Sequence, residues 1–145
     1  ERGADRLINL SGCSDLKNEI RSLTESRGGA DVIYDCIGAP YAEPALRATG
    51  WQGRYLVVGF AAGDIPRIPL NLVLLKGCSL IGVFFGQFAE REPERCRAHI
   101  ERLLEWCREG RLKPHIDRIY RLEETAEALR ALEDRKVKGK IIVKV

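Results

Sequence analysis

The chain contains two segments that decide its fold, Asp31-Val-Ile-Tyr-Asp-Cys-Ile-Gly38 and Gly53-Arg-Tyr-Leu-Val-Val-Gly-Phe-Ala-Ala-Gly63. Each segment holds an uninterrupted apolar run, Val32 to Ile37 and Tyr55 to Val58, and each run is followed by a glycine. Continuous apolar runs of this length are typical of strands that are buried on both faces of a parallel sheet. We therefore predict two neighbouring parallel strands here.

The glycines after both runs indicate a ligand site. A glycine lets the backbone come close to another body, because it has no side chain. In open parallel sheets, ligands bind outside the carboxyl ends of the strands. We predict that these two strand ends form one wall of such a site.

Composition is that of an ordinary globular domain. The 145 residues are 45% hydrophobic and 31% charged, which is enough for a buried core. The 24 basic and 21 acidic residues are interspersed, so we expect no binding to nucleic acid. No apolar run approaches the roughly 20 residues of a membrane span, and we expect a cytoplasmic protein without a membrane contact.

The cysteine and histidine pattern gives no metal site. Five cysteines form no Cys-x-x-Cys pair, and His99 and His115 lie near no suitable cysteine. Most of the cysteines sit in apolar patterns, where free thiols behave as small hydrophobes. No nucleophile–base pair is evident, so we predict no metal ligand and no catalytic side chain.

The remaining elements alternate between strands and helices. Before the two strands we predict a strand over Arg6–Leu10, a helix through Leu16, Ile20 and Leu23 with Ser14 or Asp15 as N-cap, and a stop at Gly28-Gly29. Between and after them we predict a helix over Tyr41–Thr49, a loop over Asp64–Pro69, and a short helix or turn over Leu70–Leu75 capped by Asn71. This order implies a right-handed parallel crossover.

The second half continues in the same way. A third apolar run, Cys78–Phe85, predicts another strand. Pro93 then fits the first turn of a helix whose apolar stripe is Cys96, Ile100, Leu103, Leu104 and Cys107, ended by Gly110. A strand over Ile116–Tyr120, a helix over Leu122–Asp134 with Ala126, Leu129 and Leu132 inward, and a strand over Lys140–Val145 complete the chain.

In this order the segments resemble the C-terminal part of the medium-chain dehydrogenase/reductase superfamily, in its quinone oxidoreductase (zeta-crystallin) branch. The matching pieces are Gly3-Ala-Asp-Arg-Leu-Ile-Asn9, Gly29–Gly38, Gly53–Gly63, Leu74-Leu-Lys-Gly-Cys-Ser-Leu-Ile-Gly-Val83, Gly110-Arg-Leu-Lys-Pro114, Leu122–Leu129 and Gly139-Lys-Ile-Ile-Val-Lys-Val145. Each piece alone is weak evidence, but together they cover essentially the whole chain in the family's order.

The resemblance implies an α/β fold, the second half of a Rossmann-like parallel sheet plus a C-terminal helix–strand tail. Residues 1–114 would be a partial cofactor-binding domain whose fourth, fifth and sixth strands are present here. Residues 115–145 would be the tail, which packs on a catalytic domain. No Gly-x-Gly-x-x-Gly occurs, and Gly59–Gly63 has the wrong spacing for it. The glycine-rich phosphate loop is therefore expected before residue 1.

The resemblance also assigns cofactor contacts. The adenosine or the bridging phosphates would be flanked by Cys36, Ile37 and Gly38, and the adenine end would lie near Leu10 and Tyr41. The nicotinamide ribose would lie along Val57, Val58, Gly59 and Phe60, and the carboxamide would contact Val83, Phe84 and Phe85. The phosphates would bind Arg135, with Lys140 as a weaker candidate. Each has a simpler interpretation as well: a core thiol for Cys36, an ordinary strand end for Val57–Phe60, a solvated charge for Arg135. Asp31 and Asp35 could act in acid–base chemistry, but more often such carboxylates serve caps and turns.

The function implied by the resemblance is the cofactor-binding part of an NAD(P)H-dependent oxidoreductase. It would reduce quinones or activated alkenes by hydride transfer without zinc, with NADP(H) favoured over NAD(H) and a small carbonyl, quinone or enone as substrate. The alternatives are a fragment of a zinc-dependent alcohol dehydrogenase or an enoyl reductase, or a non-catalytic dimerisation module. A homodimer is expected through the Cys78–Phe85 edge strand.

Overall fold

The structure is a computed structural model that describes residues 3–145. The chain divides into two compact units, one that ends at Gly86 and one over Gln87–Val145. No helix between residues 3 and 145 combines the length and the apolar character needed to cross a membrane.

The first unit is built on a three-stranded, fully parallel sheet. Its strands are β1 (Ala30–Asp35), β2 (Thr49–Val57) and β3 (Ser79–Gly82), in the spatial order β1-β2-β3. Ile33 pairs with Tyr55, and Tyr55 pairs with Leu80. The prediction of a parallel α/β sheet is confirmed. β2 begins at Thr49, earlier than the apolar run indicates, and its pairing with β1 is irregular between Ala30 and Val32.

Three helices accompany this sheet: α1 (Leu16–Leu23), α2 (Ala42–Ala48) and α3 (Asn71–Lys76). Asp15 caps α1, and its carboxylate accepts a hydrogen bond from the Asn18 N–H at 3.0 Å. The core consists of buried side chains from α2, β2 and α3, namely Ala42, Ala45, Leu46, Tyr55 and Leu72. The helices therefore cover the face of the sheet that carries Tyr55.

The second unit contains a two-stranded parallel sheet, β4 (Ile116–Arg121) with β5 (Lys140–Lys144). Its helices are α4 (Phe85–Arg91), which begins in the last two residues of the first unit, α5 (Pro93–Arg108) and α6 (Thr125–Glu133). Pro93 stands at the start of α5, as expected. Between β4 and β5 the chain forms α6, whose buried residue is Ala128.

Two predictions in the first unit are wrong. The segment Arg6–Leu10 is not a strand, because it has no ladder with another strand of residues 3–145; Leu10 instead opens a 3₁₀ turn, Leu10–Gly12. Asn71 does not cap α3. It is the first residue of that helix, and Leu70 stands at the N-cap without a side-chain hydrogen bond.

The apolar patterns of the later elements also mislead in part. The strand expected over Cys78–Phe85 is only Ser79–Gly82, since Phe85 already belongs to α4. In α6 the alanine at 128 is 1% exposed and faces inward, while Ala126, Leu129 and Leu132 are exposed. Along the predicted stripe of α5 only Cys96 is buried. Periodicity finds a helix but does not determine which of two neighbouring stripes faces the core.

Candidate functional site

The three strands of the first unit end at one edge of the sheet, because all three are parallel. Their last residues are Asp35, Val57 and Gly82, and Val57 pairs with each of the other two across the sheet. This is the carboxyl edge, where open parallel sheets bind ligands. The candidate site is built from the loops that leave this edge.

The loop after β1 turns tightly at Gly38. One Asp35 carboxylate oxygen, Oδ1, accepts hydrogen bonds from the N–H groups of Ile37 and Gly38, both at 2.9 Å. Gly38 has a φ of +83°, a conformation that side chains with a Cβ rarely adopt. Its carbonyl oxygen then accepts the N–H groups of Tyr41 and Ala42 at 3.0 Å each, which starts α2. Asp35 thus serves the turn, one of the two roles predicted for it.

The loops after β1 and β2 are tied to each other by backbone hydrogen bonds. The Val58 N–H donates to the Asp35 carbonyl at 2.8 Å, the Ala61 N–H to that of Cys36 at 3.1 Å, and the Ala62 N–H to that of Ile37 at 3.0 Å. A Cβ on Gly38 would lie 2.9 Å from the Phe60 ring. The structure therefore brings Cys36, Ile37 and Gly38 together with Val58, Gly59 and Phe60.

The end of β3 joins the same edge. The Val83 N–H donates to the Val57 carbonyl at 2.9 Å, which places Val83 beside the end of β2. Phe84 follows with a side chain that is 72% exposed. Two of the three residues expected to meet the carboxamide thus lie next to the central strand end, and the third, Phe85, opens α4.

Some backbone polar groups at the end of β2 have no internal partner. Among residues 3–145, nothing accepts a hydrogen bond from the Phe60 N–H, and nothing donates one to the carbonyl groups of Val58 and Gly59. One donor and two acceptors are therefore free to bind a polar ligand at the centre of the carboxyl edge. Ribose hydroxyls and a carboxamide are ligands of this chemistry.

Sequence reasoning missed Tyr55. This tyrosine is 2% exposed, and its hydroxyl donates to the second Asp35 carboxylate oxygen, Oδ2, at 2.5 Å. Burial and the hydrogen bond to the charged Asp35 raise the pKa of Tyr55. Burial alone would raise the pKa of Asp35, but the hydrogen bonds from Tyr55, Gly38 and Ile37 outweigh it and lower that pKa. Strand alternation places Asp35 on the same face as Ile33, but the pairing of Ile33 with Tyr55 depends on strand register, which the sequence does not specify.

Four other residues singled out from the sequence have local contacts. The Leu10 carbonyl accepts the Cys13 N–H at 3.3 Å within its turn, and the Tyr41 N–H binds Gly38 as described. Arg135 lies in the second unit just after α6, with a φ of 54° and its N–H bound to the Leu132 carbonyl at 3.0 Å. Asp31 pairs with Arg27 at 2.7 Å on the surface. The roles expected for Leu10, Tyr41 and Arg135 stay predictions.

A cavity of about 690 Å³ lies at the opposite, amino end of β1 and is lined by Gly29, Ala30 and Asp31 among others. We place the site at the carboxyl edge instead, because the hydrogen-bonded loops after β1 and β2 and the free backbone groups are there. Within residues 3–145, no group of three or more His, Cys, Asp and Glu side chains is arranged to hold a metal ion.

The architecture matches the Rossmann-like dinucleotide-binding half of known dehydrogenases. A crystal structure of an NAD-dependent alcohol dehydrogenase, 31% identical, superposes with a TM-score of 0.80 over 99% of this chain and 38% of that one. A mycobacterial protein solved in complex with NADPH, 21% identical, shares the fold with a TM-score of 0.83 over 99% of this chain and 43% of its own.

The family follows from the sequence match. The family model described as zinc-binding dehydrogenase matches residues 2–143, so the chain belongs to that family. This confirms the resemblance to the medium-chain dehydrogenase/reductase superfamily. Quinone oxidoreductase-like protein 2 of Bos taurus is 36% identical over 143 residues, which are 99% of this chain and 40% of that protein. The chain spans about 40% of the length of such relatives.

Proposed function

We propose that this chain is the cofactor-binding part of an NAD(P)H-dependent oxidoreductase. The observation that carries the proposal is the carboxyl edge of the first unit, where two loops are tied together beside free backbone donors and acceptors. Such an edge is where dinucleotides bind in open parallel sheets. The relatives include an NAD-dependent alcohol dehydrogenase and a protein solved with NADPH, which supports a nicotinamide cofactor.

The residues present fit this cofactor through their backbone. The free N–H of Phe60 and the free carbonyls of Val58 and Gly59 would orient the nicotinamide end, and residues 36–38 would flank the adenosine or the bridging phosphates. Arg135, with no ion-pair partner among the described residues, would offer its guanidinium to a phosphate. A bound nicotinamide supplies the hydride chemistry itself, while the protein binds and orients.

A quinone or an activated alkene is the substrate class that we propose, with hydride transfer independent of zinc and NADP(H) favoured over NAD(H). The quinone oxidoreductase-like relatives support the proposed substrate class. The NAD-dependent alcohol dehydrogenases among the relatives favour the alternative of a zinc enzyme that oxidises alcohols. Oxidation of NADPH by a small benzoquinone, catalysed by a longer form of the protein and followed by absorbance with and without a strong zinc chelator, separates them: loss of activity on chelation contradicts the zinc-independent proposal.

Calorimetric titration of the 145-residue chain with NADPH and NADH tests the cofactor proposal. We expect binding of both, with NADPH the tighter. A chain that binds neither, while a longer form of the same protein does, would need the phosphate loop expected upstream. Reading the gene before the codon for Glu1 tests that expectation, since a strand followed by a glycine-rich turn should be encoded there. No binding by any form would favour a non-catalytic dimerisation module.

We also propose a homodimer through the edge strand β3. All four of its residues are exposed, and an apolar strand at a sheet edge needs covering. A lysine at this edge should prevent pairing, so Ile81→Lys should convert a particle of twice the chain mass into one of single mass in size-exclusion chromatography with light scattering. Ile119→Lys, on the exposed face of β4, is the matched control. An unchanged mass for Ile81→Lys would contradict the interface.

Residues 115–145 would, in this proposal, pack on a further domain. The leucines at 122, 129 and 132 support this packing, because their side chains are exposed and no other part of the second unit buries them. Large contiguous apolar patches on a surface mark interaction sites.

A further inference from the structure

Asp35 accepts hydrogen bonds from both loops of the candidate site. Its carboxylate accepts the N–H groups of Ile37 and Gly38 on one oxygen and the Tyr55 hydroxyl on the other. Its backbone carbonyl accepts the N–H groups of Val58 at 2.8 Å and Gly59 at 3.3 Å. The five donors to Asp35 thus lie in the loop after β1, in the core, and in the loop after β2.

We propose that Asp35 and Tyr55 are positioning residues, which fix the backbone of both strand-end loops in the conformation that takes the cofactor. The inference rests on the proposed function. Neither residue needs to touch the cofactor, because each acts through the backbone groups of residues 36–38 and 58–60.

The order of support runs from the core outward. Tyr55 belongs to the buried core cluster with Ala42, Leu46 and Leu72, so packing in the first unit positions its hydroxyl. The hydroxyl then fixes the Asp35 carboxylate in one rotamer. The carboxylate in turn presents its other oxygen to the two N–H groups of the Gly38 turn. A core tyrosine thereby determines the shape of a surface loop.

The residue types suit this task. A carboxylate has two acceptor oxygens, so it can serve the turn and the hydroxyl at once. An asparagine would keep one acceptor for the turn but would present an NH₂ group to the tyrosine. A short hydrogen bond to a charged oxygen is also stronger than one between neutral groups. Loops that are already ordered lose less freedom when a ligand binds, and the ligand then binds more tightly.

The test is Tyr55→Phe, which keeps the buried ring and removes only the hydroxyl. Tyr120→Phe is the matched control: Tyr120 is 4% exposed, and its hydroxyl has no hydrogen-bond partner among the described residues. Amide hydrogen exchange of the 145-residue chain measures loop order, and calorimetric titration with NADPH measures affinity. In Tyr55→Phe we expect exchange about fivefold faster at the N–H groups of Ile37 and Gly38, as loss of one hydrogen bond implies.

Affinity should fall in parallel. We expect the Kd for NADPH to rise about fivefold in Tyr55→Phe and to stay as in wild type in Tyr120→Phe. Asp35→Asn should give an intermediate rise, and Asp35→Ala a larger one, because asparagine keeps the acceptor for the turn. A purely structural role would lower stability without accelerating exchange selectively at the turn.

Two outcomes overturn the inference. Exchange at Ile37 and Gly38 that is equal in wild type and Tyr55→Phe shows that the hydroxyl does not order the loop. An equal Kd for NADPH in both shows that the order has no effect on binding. Failure of the proposed function is distinct, because neither the 145-residue chain nor a longer form would then bind NADPH, and the exchange rates would still decide whether the pair fixes the loops.

Discussion

Tyr55 prefers its neutral form in the folded chain, since burial and the neighbouring Asp35 carboxylate raise its pKa. In the unfolded chain its pKa is near 10. A group whose pKa is raised on folding contributes stability below its unfolded pKa and loses that contribution as pH rises above it. The Tyr55 contribution is therefore complete at neutral pH and lost in alkali.

The raised pKa of Tyr55 predicts a measurable dependence of the free energy of unfolding on pH. Above pH 10 the free energy of unfolding of wild type should fall by up to about 1.4 kcal/mol per pH unit more steeply than that of Tyr55→Phe, which has no ionisable group there. Urea unfolding of both proteins between pH 8 and about pH 11 measures the difference. Parallel curves for the two proteins would show that Tyr55 is free to ionise in the folded state.

Gly38 has a backbone conformation that a residue with a Cβ rarely adopts. Gly38→Ala should destabilise the chain by about 1–3 kcal/mol, because a Cβ is strained at a φ of +83° and meets the Phe60 ring and the Asp64 carbonyl. Gly12→Ala is the control, since a Cβ there meets nothing within 4 Å. Urea unfolding compares them, and equal stabilities would contradict the described turn.

At the scale of elements, leucines that lie in similar apolar helical patterns differ in their exposed fraction. Leu46 in α2 is 0% exposed, whereas Leu129 in α6 is 56% exposed. Leu46→Ala should lower the free energy of unfolding by about 2–5 kcal/mol, and Leu129→Ala by less than about 0.5 kcal/mol. The two variants are compared in urea at neutral pH. A large loss of stability in Leu129→Ala would contradict the exposure of Leu129 and favour the inward leucine stripe that the sequence predicts.

The elements themselves were largely predictable. Continuous apolar runs located β1 and β3, and Pro93 marked the start of α5, because these signals are local. The segment Arg6–Leu10 has the residues of a strand, yet strand formation depends on a pairing partner that local sequence does not specify. In α6 the small Ala128 faces inward while the larger leucines do not. Side-chain volume, as well as apolar character, decides which stripe packs.

At the scale of the whole molecule, the parallel sheet of the first unit brings three strand ends to one edge. The positions of the candidate residues followed from the fold class, because parallel strands place their carboxyl ends together. The contact between Asp35 and Tyr55, which are 20 residues apart, did not follow, since it depends on strand register. Sequence therefore predicted which backbone lies at the edge, but not what holds it there.

The most direct test of the proposed cofactor site is NMR of the isotopically labelled 145-residue chain titrated with NADPH. We predict that amide resonances of residues 36–38, 58–60 and 83–84 shift with the added cofactor, while those of β4 and β5 stay in place. Shifts that begin at the amino end of β1, around Gly29 and Asp31, or no shifts at the carboxyl edge at saturating NADPH, would contradict it.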